Sequence, residues 1–155
     1  MKNNKRPIVI FTGNVSPKKI VETIGTNFSG DIVVNGSLSD VYSGEDTHTN
    51  ISTNGGSLYL IDGGIYLYNE VTIEADVFID KDIDVDEPLT IFGSLYSYSR
   101  GAIEGYDIYV GENLYILYEV YMDVDNLVVG QDFHILVDAK NFPADVCGEI
   151  ILETE

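Results

Sequence analysis

The stretch VTIEADVFIDKDIDVDEPLTIFGS, residues 71–94, divides into four sixes: VTIEAD, VFIDKD, IDVDEP and LTIFGS. Each opens with two apolar residues separated by one other and then turns polar, usually acidic. Alternation over three residues marks a short strand with one face buried. Val71 and Ile73, Val77 and Ile79, and Ile83 and Val85 would point inward, and the polar remainder would turn a corner. Strands this short cannot sustain a hairpin or meander. If the chain turns the same way at every corner, three sixes make a coil of about eighteen residues. Coils then stack about 4.8 Å apart, and the inward pairs fill one continuous core.

The rhythm extends both ways. Upstream lie LYLIDGG (58–64) and IYLYNE (65–70), and downstream LYSYSR (95–100), GAIEGYD (101–107), IYVGEN (108–113), LYILYE (114–119), VYMDVDN (120–126), LVVGQD (127–132) and FHILVD (133–138). IVVNGS (32–37), LSDVYS (38–43) and ISTNGGS (51–57) fit less regularly. A helix is excluded by the period of two and by the abundance of Val, Ile, Tyr and Gly. A sandwich would need longer strands and sparser turns. The fold expected is all-β: a single-stranded parallel β-helix, or solenoid, of three-sided, 18-residue coils. Both inward positions are usually large, unlike the large-and-small pairing of left-handed hexapeptide folds, which points to a right-handed coil.

One domain spans residues 1–155 in this scheme, a length sufficient to bury a core. Residues 1–30 form a basic N-terminal arm and a capping helix, 31–138 the β-helix, and 139–155 a C-terminal cap. The helix is marked by Ser16 as N-cap, Pro17 in the first turn and Gly25 past the end, with Ile20, Val21 and Ile24 on one face. The tail breaks the frame at Pro143 and ends in one more apolar strand, 149–152. SGEDTHTN (43–50) reads as a polar loop projecting from the shaft.

Charge is uneven. Residues 1–19 hold Lys2, Lys5, Arg6, Lys18 and Lys19 and no acid, whereas the remainder carries −23, for a net −18. So acidic a body repels nucleic acid and anionic membrane and attracts basic surfaces. No stretch approaches the roughly 18 apolar residues of a transmembrane helix, so none is expected. The N-terminal apolar run is too short for a secretory signal. Cys147 is the single cysteine, which excludes an intramolecular disulfide and agrees with a cytoplasmic setting.

Stacking also aligns outward residues. Tyr59, Phe78, Tyr96, Tyr115 and His134 recur at separations of 19, 18, 19 and 19 residues and should form one aromatic ladder. Such a ladder either stabilises the stack or binds a glycan or a protein partner. A second ladder, Asp86, Glu104 and Asp123 with Tyr68 below, is expected to be solvated. Asp76, Ser94, Asn113 and Asp132 share a corner where short polar side chains can bond turn backbone. Ser97 is the one polar inward residue of its face and reads as a satisfied core hydroxyl.

Neither His48 nor His134 has a partnered nucleophile in the sequence, and paired carboxylates among 26 acids carry no specificity. No catalytic residue, metal site or cofactor is expected.

GDIVVNGSLSD (30–40), GGSLYLIDGGIYL (55–67) and YDIYVGENLYILYEVYM (106–122) resemble, in repeat rhythm, the bactofilin-like, polymer-forming β-helix proteins. That resemblance implies a bacterial scaffold that joins core to core, end on end, without a nucleotide. The chain departs from it in its acidity, its scarcer corner glycines and its caps, which would block such joining. The expected function is therefore a non-enzymatic scaffold binding itself or another protein. The alternative is a monomeric binding module, for a glycan or as an acidic inhibitor or immunity-type protein for a basic partner. A carbohydrate-active enzyme stands behind both.

Overall fold

The computed structural model describes residues 7–42, 47–118, 120–135 and 144–152. The chain enters with β1 (Ile8–Thr12), α1 (Pro17–Ile24), β2 (Asp31–Asn35), β3 (Leu38–Ser39) and β4 (His48–Ile61). The middle of the shaft follows: β5 (Ile65–Leu67), β6 (Glu70–Ile79), β7 (Ile83–Val85), β8 (Leu89–Ile91), β9 (Leu95–Ser97) and β10 (Ala102–Val110). It closes with β11 (Leu114–Ile116), β12 (Tyr121–Val129), β13 (Phe133–Ile135), β14 (Ala144–Val146) and β15 (Ile150–Leu152). Every strand pairing among the described residues is parallel. The result is a β-solenoid of about 7 turns of ~19 residues with one short helix.

Pairing sorts the strands into three sides. The ladder side stacks β1, β2, the end of β4, the end of β6, β9, β11, β13 and β15. The acidic side stacks β3, β5, β7 and the beginnings of β10 and β12. The third side stacks the beginnings of β4 and β6, then β8, the ends of β10 and β12, and β14. Long strands such as β6 bend across a corner and serve two sides.

The repeating six explains the core. On the ladder side the first inward row runs Ile32, Leu58, Val77, Leu95, Leu114 and Phe133, none more than 1% exposed. Ser97 interrupts the second row and is fully buried, its Oγ accepting a 3.4 Å hydrogen bond from the Ser99 N–H. Burying a hydroxyl without such a partner would cost a few kcal/mol, roughly 1–3.

The helix forms where its caps place it. The Ser16 side chain accepts from the Lys19 N–H at 3.1 Å, Pro17 opens the first turn, and the Gly25 N–H closes on the Val21 carbonyl. Ile20 is fully buried, and Val21 and Ile24 pack on the core. Val15 bridges to Leu38 on the acidic side, and α1 packs on β4. The helix thus takes the third side of the first coil.

Four expectations change. Residues 8–12, assigned to the basic arm, are the first rung of the ladder side, with Val9 and Phe11 set over Ile32 and Val34. Residues 1–6 lie outside the described residues. The tail, expected as a cap, adds one rung to two sides through β14 and β15, the latter falling in the strand expected at 149–152; the break expected at Pro143 lies outside the described residues. His48 opens β4 instead of lying in a loop, opposite Glu70; 43–46 lie outside the described residues. Finally, the frame slips by two in residues 101–107 and 120–126. Ile103 pairs with Ile83 and Gly105 with Val85, so Gly105 takes the second inward position, where a Cβ would overlap the Val85 side chain.

Candidate functional site

The five aromatic residues come together as the spacing predicts. Tyr59, Phe78, Tyr96, Tyr115 and His134 occupy one outward position on successive rungs. Their ring centroids are 4.8, 4.4, 4.6 and 4.5 Å apart, with planes inclined by 13, 4, 3 and 10°. Isolated aromatic pairs favour offset or edge-on arrangements over a face-to-face stack. Here the strand spacing imposes the stack, because equivalent residues of parallel rungs sit about 4.8 Å apart.

This geometry limits what the ladder can bind. Each inner ring has both faces against its neighbours, and all five residues are half-buried. Sugar platforms need an open ring face, and the ladder offers ring edges instead. Burial, reinforced by Tyr115 and Asp76, raises the Tyr96 hydroxyl above its ordinary pKa of 10.0, so it stays neutral at physiological pH. Replacing Tyr96 with alanine opens two stacked contacts and is expected to cost about 1–2 kcal/mol, against less than about 0.5 kcal/mol for Tyr96→Phe. Urea unfolding measures both. Equal losses for the two variants would assign the effect to the hydroxyl and not to the ring stack.

The row is longer than its aromatic part. Val33 stands beside Tyr59 and Ile10 beside Val33, while Ile151 stands beside His134. Eight rungs therefore carry an apolar or aromatic outward residue, over about 34 Å of shaft. Uneven spacing concealed the extension: 26 residues separate Val33 from Tyr59 and 23 separate Ile10 from Val33, whereas 17 separate His134 from Ile151.

Among the described residues β1 pairs only with β2, and β15 only with β13. Ile8 and Ile10 on β1 are 59% and 62% exposed. Ile150 is in register with the fully buried Phe133, an inward position, yet it is 51% exposed. Among the described residues, no further strand pairs with β15 beyond it. An unpaired strand edge with apolar side chains is a template for another strand.

The acidic ladder lies elsewhere than expected. The register lines up Ser39, Tyr66, Asp84, Glu104 and Asp123, so Asp84 and Tyr66 replace Asp86 and Tyr68. Burial and the nearby Asp82 raise the Tyr66 hydroxyl above its ordinary value. The corner residues act structurally. Asp31 Oδ1 accepts from the Ser57 N–H, Asp76 Oδ1 from Ser94, Ser94 Oγ from Asn113, Asn113 Oδ1 from Asp132, and Asp132 Oδ1 from Glu149, at 2.8–3.2 Å. His48 is engaged by Thr72 Oγ1 at 2.8 Å and by Glu70 at 3.7 Å. Among the described residues, no group of three or more His, Cys, Asp or Glu could hold a metal ion, and no helix is long and apolar enough to cross a membrane.

No protein-family model, curated protein or solved structure matches the chain. Its functional reading rests on its own geometry.

Proposed function

We propose that the chain is a non-enzymatic scaffold that works by associating with itself through the open ends of its ladder side. The observation that carries this reading is Ile150, in register with the inward Phe133 yet half exposed, on a strand that among the described residues is paired along one edge only. Covering the last rung of a solenoid removes apolar surface from water and pairs a row of backbone groups. The exposed Ile8 and Ile10 at the opposite end add a second open edge. The repeat rhythm shared with bactofilin-like proteins supports the same reading. A bound glycan is disfavoured by the mutual covering of the ring faces.

Sedimentation velocity over a range of concentrations tests the proposal. The wild-type chain is expected to form species larger than a monomer. Ile150→Asp places a charge on the joining surface and is expected to weaken association at least about tenfold, with the circular-dichroism spectrum retained. A wild-type chain that stays monomeric at every concentration would refute the proposal.

A further inference from the structure

The geometry points to a polar assembly: resting on the self-association just proposed, β15 of one copy adds beneath β1 of the next, head to tail. The two ends of the chain differ in charge. In sequence, residues 1–19 carry five basic residues and no acid, and of these Lys18 and Lys19 are exposed on α1. In sequence, residues 141–155 hold Asp145, Glu149, Glu153 and Glu155 and no base, and of these Glu149 is exposed on the structure. Two C-terminal ends would set acid against acid and two N-terminal ends base against base, whereas unlike ends attract.

Register supports the same polarity. The ladder side is parallel throughout, so a head-to-tail joint continues it without reversing a strand. Extending the observed rows puts Ile150 against Val9 of the next copy, Ile151 against Ile10, and position 152 against Phe11. Val9 then covers the exposed Ile150, and the outward row passes from copy to copy through its aliphatic rungs. A joint between unlike ends is heterologous. It leaves one free end of each kind, so growth is linear and does not stop at a dimer.

Full-length chains lacking the exposed Cys147 (Cys147→Ser) test the polarity, one carrying Ile10→Cys and the other Ile151→Cys. Adjacent rungs lie within disulfide reach, roughly 4.4–6.8 Å between Cα atoms. After diamide oxidation, the mixture is expected to yield covalent heterodimers, and each variant alone none. Homodimers from Ile151→Cys alone, or from Ile10→Cys alone, would overturn the polarity while leaving self-association standing. A wild-type chain that is monomeric throughout would remove both. Raising salt from low to high is expected to weaken the joint about tenfold, because unlike charges are screened. Strengthening by salt would indicate like ends meeting and would also overturn the inference.

Discussion

Gly63→Ala is expected to lower stability by about 3 kcal/mol or more, a large loss for the smallest added group. Gly63 is buried at a corner where coils stack backbone on backbone. A Cβ there would overlap the carbonyl oxygen of Gly36 in the preceding coil, with the Ser37 nitrogen also within contact. Neither can rotate away, because both belong to the backbone. Opening the gap would also strain the neighbouring turn. The Gly63 N–H donates to Asp80 Oδ1 at 2.7 Å, Asp62 to Oδ2 at 2.9 Å, and the Gly63 carbonyl accepts from Asp80 and Lys81. Gly55 supplies the contrast. A Cβ there meets nothing within 4 Å, and only its φ of +104° opposes a side chain. Gly55→Ala is expected to cost about 1–2 kcal/mol. Urea unfolding compares the two, and equal losses would show that room between coils is not what Gly63 provides.

Phe133→Ala is expected to cost about 3–5 kcal/mol at its own end of the shaft. Phe133 is fully buried and fills the inward position between Leu114 and Ile150. In a solenoid each coil contacts only its neighbours, so a cavity near one end releases the coils beyond it before the middle yields. Hydrogen exchange should therefore accelerate at 133–135 and 150–152 while 71–79 stays protected. Self-association should fall as well, because Ile150 loses the rung beneath it. Uniform acceleration along the shaft would show that the molecule melts as one unit.

Where the sixes are regular, the fold was legible in full. Val71, Val77, Ile83 and Leu89 open four consecutive sixes and stand on three successive sides, and all are buried. The aromatic ladder followed from arithmetic, since no insertion falls between Tyr59 and His134 large enough to break the stack. The errors have local causes. Glycine at inward position 105 gave no apolar signal, so Gly101 and Ile103 were paired instead of Ile103 and Gly105. Thr49 and Thr53 hid the first side of β4. Thr49 aligns with Val71, and Thr53 is fully buried because its Oγ1 donates to the Gly56 carbonyl at 2.7 Å. The open ends were the least visible part of the site. Ile150 reads as an ordinary inward residue in sequence, and only the structure shows it exposed.

The corner row from Asp31 to Glu149 has a direction as well as a function. In each of its bonds the accepting side chain precedes, in the chain, the N–H that it receives. Asn14, Ser37 and Gly64 repeat the order at another corner. A polypeptide leaving the ribosome N-terminus first therefore lays down each acceptor before its donor emerges. A completed coil becomes the template on which the next one winds. The nearest-neighbour contacts between coils also govern the shaft under load. Pulled from its C-terminus, it gives up one coil at a time, and each release leaves behind an intact template on which the freed chain can rewind.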